Sequence, residues 1–130
     1  MVLKPKAPTT APMLNDPTRH VEQEYFPVDE SGVQCKLKCD LQTGPKKAPR
    51  VIADIKTTDA KTKEEFAQRA KEYGYIRQGA FYLDGTGAKK YIIFAISKTY
   101  PHPTFTFVLT SDEVAEGRAE YERLIAAKLN

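Results

Sequence analysis

The chain has 130 residues, of which 41% are hydrophobic and 28% are charged. This length suits one domain with a single core, and the net charge of +3 permits a polyanionic partner without demanding one. No apolar run approaches the roughly 20 residues that a membrane helix needs, and the N-terminal residues lack the apolar core of a secretory signal. A cytoplasmic protein with reduced thiols is expected, without membrane association.

Prolines are concentrated at the start of the chain. Residues 1–19 hold four of the nine prolines and few residues that could be buried. Such a composition is typical of a tail or a linker. The sequence therefore predicts a flexible tail over residues 1–19 and one folded domain over residues 20–130.

After this tail the pattern changes to that of two paired strands. Residues 21–28 alternate in polarity, a turn is predicted at residues 30–32, and residues 33–41 alternate cleanly. In the second strand, Cys35 and Cys39 fall on the apolar face. A C-x-x-x-C pair without a second pair or a nearby histidine does not suit zinc, so these thiols are predicted to pack in the core.

A third strand is predicted at residues 50–57, and it carries an acid and a base. The two-residue period of a strand places Asp54 and Lys56 on the same face. If this strand pairs with residues 33–41 as an antiparallel hairpin, Asp40 approaches Asp54 on that face. The sequence thus predicts two carboxylates and one ammonium close together on a sheet.

The next segment has the pattern of a helix. Thr62 and Glu65 have the spacing of a capping box, and apolar residues then recur at helical spacing until Gly74. We expect the helix to continue past a kink at Gly74, which places Gln78 and Tyr82 on one face at positions i and i+4.

The rest of the chain predicts two strands and a terminal helix. The preceding helix is expected to end at residues 84–85. Residues 89–98 and 104–110 have the pattern of strands joined by a turn at residues 99–103, and a second capping box opens a helix at Thr110. The order of these elements predicts a single α/β domain with a mixed central sheet flanked by helices.

Two carboxylates on one sheet face favour a bound divalent cation, because like charges brought close together resist joint ionisation. Oxygen ligands suit Mg2+, with Mn2+ as a substitute, and an adjacent lysine suits phosphodiester hydrolysis. The D-x-K pattern alone is common, however, and Asp59-x-Lys61 also matches it outside any strand. A salt bridge that protects an edge strand explains Asp54 and Lys56 equally well.

Three runs in this order carry a more specific signal: KCD at 38–40, VIADIKTTDA at 51–60 and YGYIRQGAFYLDG at 73–85. Together they resemble the PD-(D/E)XK nuclease superfamily. The resemblance is strongest to the branch that contains exonuclease VIII (RecE), lambda-type exonucleases and RecB-like nuclease domains. It implies a restriction-endonuclease-like α/β core and a metal-dependent nuclease.

The resemblance also implies roles for individual residues. An upstream glutamate commonly joins the metal site in this family, and Glu22 is favoured over Glu24, although both alternate onto the same strand face. The implied catalytic residues are Asp40, Asp54 and Lys56, and the implied metal ligands are Glu22, Asp40, Asp54 and the carbonyl of Ile55.

Contacts with DNA are implied for the Q-x-x-x-Y pair Gln78 and Tyr82, and phosphate contacts are assigned to Arg50 and Arg77. The alternative makes Tyr82 a core aromatic residue and Gln78 a surface residue. Other basic residues near the site could contact phosphates as well, namely Lys36, Lys38, Lys46, Lys47, Arg69 and Lys71. For any single one of these basic residues, Arg50 and Arg77 included, an ordinary solvated surface is the simpler explanation.

The expected function is therefore Mg2+-dependent hydrolysis of DNA by a phage or prophage recombination exonuclease that acts on duplex ends. The expected partners are DNA and a single-strand annealing or recombination protein, and a homo-oligomer is compatible with this function. The alternative is a nuclease-like fold that serves as a DNA-binding or protein-interaction module with little or no cleavage.

Overall fold

The computed structural model describes residues 4–5, 10–28 and 32–129. The strands are β1 (Lys4–Pro5), β2 (His20–Tyr25), β3 (Leu37–Thr43), β4 (Val51–Thr58), β5 (Lys90–Ser97) and β6 (Thr104–Val108). The helices are α1 (Thr10–Asn15), α2 (Lys63–Glu72), α3 (Tyr75–Thr86) and α4 (Ser111–Leu129).

All six strands form one sheet in the order β1-β6-β5-β4-β3-β2. β4 and β5 are parallel, and every other neighbouring pair is antiparallel. A parallel pair needs a crossover connection, and α2 and α3 provide it. The sheet is therefore mixed and flanked by helices, so the predicted fold class is confirmed.

The first predicted strand pair is present with altered bounds. β2 and β3 are antiparallel, as predicted, but β3 begins at Leu37 rather than at residue 33, and only an isolated bridge joins Val28 to Gln34 before it. Residues 29–31, which include most of the predicted turn, lie outside the described residues. Cys39 is buried in the core, as predicted, and its burial raises the pKa of the thiol to about 12.

The segment expected to form one kinked helix forms two helices. Thr62 caps α2 by accepting a hydrogen bond from the backbone N–H of Glu65 at 3.1 Å, as the capping box predicts. Gly74 has a φ of 72°, which is the left-handed conformation that ends a helix rather than kinks it. The continuous helix was therefore wrong. α3 ends at Thr86 before a second left-handed glycine, Gly87.

Two apolar clusters lie on opposite faces of the sheet. The larger one packs against α2, α3 and α4 and includes Phe66, Tyr91 and Phe107. The smaller one comprises Met13, Leu41, Ala53, Ile92 and Phe94.

Met13 corrects the predicted N-terminal tail. Its side chain is buried, at 6% exposure, because α1 brings it onto the apolar residues of the smaller cluster. β1 also pairs with β6, with Lys4 opposite Val108. A flexible tail over residues 1–19 was therefore wrong for α1 and β1. Among the described residues, no helix is both long enough and apolar enough to cross a membrane.

Helix α3 approaches β5 closely at Gly79. A Cβ atom on Gly79 would lie 2.6 Å from Cδ2 of Leu109 and 2.9 Å from Cδ1 of Tyr91. In an open helix, replacing glycine with alanine stabilises by up to about 1 kcal/mol. Here we expect Gly79→Ala to lower the free energy of unfolding by about 1–3 kcal/mol, because overpacking outweighs helix propensity. Urea denaturation measures this change, and a stabilised variant would contradict the close approach.

Candidate active site

Asp54 and Lys56 form a close ion pair inside the domain. Nζ of Lys56 lies 2.7 Å from Oδ2 of Asp54, and the side chain of Asp54 is 9% exposed. Their strand, β4, is central in the sheet between β3 and β5. A salt bridge protecting an edge strand is therefore excluded. The second match to the pattern differs, because Asp59 is largely exposed and pairs with Arg69.

Asp40 reaches the same place from the neighbouring strand. The β3–β4 ladder ends with Leu41 opposite Ala53, and one step further along this register Asp40 lies across from Asp54. Oδ2 of Asp40 accepts a hydrogen bond from the backbone N–H of Ile55 at 2.8 Å. The structure thus brings Asp40, Asp54 and Lys56 together, as the sequence pattern predicts.

The ammonium of Lys56 is held by α3 as well as by Asp54. It donates a hydrogen bond to Oε1 of Gln78 at 3.1 Å and lies 4.4 Å from the ring centroid of Tyr75. A cation over an aromatic face is attracted by the ring quadrupole. Tyr75 was missed in the sequence, although its position three residues before Gln78 places it on the same helix face.

The surroundings of Asp54 disfavour the charged form of its carboxylate. Burial raises the pKa of Asp54 to about 6, the neighbouring Asp40 adds to the rise, and Lys56 opposes it. Oδ2 of Asp54 is fully buried and accepts no hydrogen bond of good geometry, despite its short distance to Lys56. Such a buried oxygen, next to a second carboxylate, is suited to binding a cation.

A divalent cation fits the donors around Asp54. Asp40 and Asp54 offer two carboxylates, and Mg2+ commonly takes only one or two from a protein and keeps several waters. The N–H and C=O of one strand residue point towards the same neighbour, so the carbonyl of Ile55 also lies on the Asp40 side. No group of three or more His, Cys, Asp or Glu side chains suited to a metal occurs within residues 4–5, 10–28 and 32–129.

Glu22 does not join the two aspartates. It lies across from Asp40 in β2, between residues paired with Leu41 and Cys39. Its side chain is 72% exposed and forms an ion pair with Lys38 at 3.8 Å. In this structure a lysine on the adjacent strand pairs with this carboxylate, and the role of Glu22 as a metal ligand stays a prediction.

Comparison with known families bears directly on this geometry. The model of the family described as "PDDEXK-like domain of unknown function (DUF3799)" matches residues 18–129. The chain belongs to this family. The predicted PD-(D/E)XK superfamily and its restriction-endonuclease-like fold are thereby confirmed, while the branch that contains exonuclease VIII stays a prediction.

A solved structure shares the fold of this PDDEXK-like domain. A crystal structure of a candidate exonuclease from Eubacterium rectale superposes with a TM-score of 0.67 at 17% identity, covering 92% of this chain and 46% of that one. The structure of SSO0001 has a TM-score of 0.48 at 16% identity, covering 83% of this chain and 50% of that one. The chain thus spans about half the length of each. No curated protein matches its sequence significantly.

The residues assigned to DNA contacts occupy different settings in the PDDEXK-like domain. Gln78 contacts Lys56, whereas Tyr82 is half-buried with its ring edge-on to Tyr91, at 6.3 Å between centroids. Arg77 pairs with Glu120 on α4, which favours a structural role. The side chain of Arg50 is exposed, one residue before β4 begins.

Proposed function

We propose that this PDDEXK-like domain is a metal-dependent nuclease that hydrolyses phosphodiester bonds in DNA. The observation that carries the proposal is the convergence of Asp40, Asp54 and Lys56 on two central strands of a nuclease-like fold. Family membership supports the assignment of this cluster as the active site.

The proposed metal site consists of the carboxylates of Asp40 and Asp54 with the carbonyl of Ile55. Bound Mg2+ would supply a hydroxide at neutral pH and polarise a phosphoryl oxygen. Burial and the neighbouring Asp40 raise the pKa of Asp54 even though Lys56 opposes the rise. A cation bound at Asp54 would offset the free-energy cost of this buried charge, so metal binding is expected to stabilise the folded protein.

Lys56 is the proposed group that contacts the reacting phosphate. Its side chain is only 20% exposed, and Gln78 and Tyr75 restrict where its ammonium can lie. A positioned ammonium stabilises charge that develops on the phosphate and orients the attacking water. Gln78 acts through Lys56 and is therefore a positioning residue.

The finer proposal is a phage or prophage recombination exonuclease that acts on duplex ends with a single-strand annealing or recombination partner. Support comes from the sequence resemblance and from the fold shared with a candidate exonuclease.

One observation favours a second candidate function, that of a DNA-binding module without cleavage. Glu22 pairs with Lys38, so among the residues that the structure describes only Asp40 and Asp54 supply carboxylates beside Lys56.

Cleavage and metal binding test the two candidates together. The purified protein is incubated with linear duplex, circular duplex and single-stranded DNA, in Mg2+, Mn2+ or EDTA. Degradation of linear DNA in Mg2+ or Mn2+ but not in EDTA is expected, together with calorimetric uptake of Mn2+. Binding of DNA without cleavage in any metal would overturn the nuclease and support the module. Lack of Mn2+ uptake would overturn the metal site.

A further inference from the structure

The rings of Tyr73 and Tyr75 lie in a row between the solvent and the ammonium of Lys56. Tyr73 is 61% exposed at the end of α2, and its ring centroid lies 5.8 Å from that of Tyr75. The ring of Tyr75 in turn lies 4.4 Å from Nζ of Lys56. An exposed aromatic side chain thus stands one ring away from the lysine assigned to the phosphate, and neither the family match nor the Q-x-x-x-Y pattern accounts for it.

The turn between α2 and α3 fixes the position of these rings. The backbone N–H of Tyr73 donates to the carbonyl of Arg69 at 2.9 Å, and Gly74 then takes the left-handed conformation. The φ of 72° at Gly74 is one that residues with side chains rarely adopt, and the backbone N–H of Gln78 donates to the carbonyl of Gly74 at 2.9 Å. The Tyr73 ring is therefore presented by an ordered turn, which lowers the entropy lost when a ligand binds.

The inner ring is supported by the core. Tyr75 packs on Phe66 at 6.1 Å between ring centroids, and Phe66 stacks on Phe107 at 5.4 Å. Tyr73 lies at the solvent end of this row, with the basic residue Lys71 in the last turn of its helix, whereas Arg69 there pairs with Asp59 and Glu72. An aromatic face beside a basic residue and a phosphate site is the arrangement used to bind single-stranded nucleic acid.

We propose that Tyr73 stacks on a nucleobase of an unpaired DNA strand whose phosphate lies at Asp40, Asp54 and Lys56. The inference rests on the proposed function and narrows its substrate to a single strand or an unpaired end. In a duplex the base faces are covered by neighbouring bases, whereas an unpaired base can be turned onto a side chain. Tyr75 bridges the base site and the phosphate site.

Binding in Ca2+, which takes oxygen ligands as Mg2+ does, tests the inference with the metal site filled, and electrophoresis verifies that the DNA stays uncut. Affinities of a labelled single-stranded oligonucleotide and a blunt duplex are measured by fluorescence anisotropy for the wild type, Tyr73→Ala, Tyr73→Phe and Tyr100→Ala. Tyr100 is the matched control, because it is 85% exposed and lies in the β5–β6 turn. Thermal unfolding verifies that each variant is folded.

Tyr73→Ala is expected to weaken single-strand binding about tenfold, the loss of one base-stacking contact. Tyr73→Phe and Tyr100→Ala should bind like the wild type, and duplex binding by Tyr73→Ala should change little. Equal losses for both DNA forms, an equal loss in Tyr100→Ala, or no binding of single strands by the wild type would overturn the inference.

The inference and the proposed function fail in distinguishable ways. Tyr73-dependent binding without cleavage in Mg2+ would sustain the base site and overturn the nuclease. Cleavage of single strands at equal kcat/KM by the wild type and Tyr73→Ala would sustain the nuclease and overturn the base site.

Discussion

Replacing Lys56 with alanine is expected to lower the rate of DNA hydrolysis by at least about 100-fold, with the fold intact. The reason is the loss of a positioned cation at the reacting phosphate, where a single stabilising donor contributes factors of about 100 to 1,000. Single-turnover cleavage of end-labelled DNA in saturating Mg2+ measures the chemical step rather than binding.

The chain supplies its own control for this variant. Lys61 follows Asp59 in the same D-x-K spacing, but it is exposed and lies before α2 rather than in the sheet. Lys61→Ala is expected to cleave at the rate of the wild type. If Lys56→Ala kept full activity, or if both lysine variants lost it equally, Lys56 would have no special role.

Asp54→Asn is expected to abolish cleavage and yet stabilise the metal-free protein by about 2 kcal/mol at pH 7. Burial raises the pKa of Asp54 from 3.8 to about 6, and a rise of that size corresponds to about 3 kcal/mol of cost for the charged form. Asparagine keeps the shape and removes the charge. Urea denaturation in EDTA measures the stability, with Asp59→Asn as an exposed control that should change little.

The pH dependence of this effect has a definite sign. Because the pKa of Asp54 is raised by folding, the native state binds more protons than the unfolded state between pH 4 and 6. This carboxyl therefore makes the free energy of unfolding fall as the pH rises through that window, and the cost is fully present above it. Asp54→Asn should remove this component. A variant less stable than the wild type at pH 7 would contradict the buried charge.

In EDTA Asp54→Asn is expected to be more stable than the wild type, and bound metal should make the wild type the more stable of the two. At 100 times the dissociation constant, a ligand bound only by the folded state adds about 2.7 kcal/mol. Mn2+ should therefore raise the unfolding temperature of the wild type but not that of Asp54→Asn.

The strand part of the site could be predicted from the sequence because it depends on local rules. The two-residue period places Asp54 and Lys56 on one face, and antiparallel pairing brings Asp40 across from them. Gln78 followed from the resemblance and lies within hydrogen-bonding distance of Lys56.

The remaining features depend on tertiary contacts that the pattern does not encode. Tyr75 reaches Lys56 only because Gly74 ends α2 and redirects the chain. Glu22 was assigned to the metal site from the family resemblance, and in this structure it pairs with its cross-strand neighbour Lys38. Met13 was assigned to a tail because the scattered apolar residues among these prolines carry no periodic signal.

The hydrogen bond from the Ile55 backbone to Asp40 gives this aspartate two roles at once. The ladder between β3 and β4 ends at Leu41 and Ala53, and beyond that point the Asp40 carboxylate joins the two strands. Asp40→Ala would therefore weaken the contact between the two strands and also remove a negative charge. A loss of activity in this variant would then have two explanations. Asp40→Asn keeps an oxygen that can accept the hydrogen bond from the Ile55 N–H, so this substitution tests the effect of the negative charge alone.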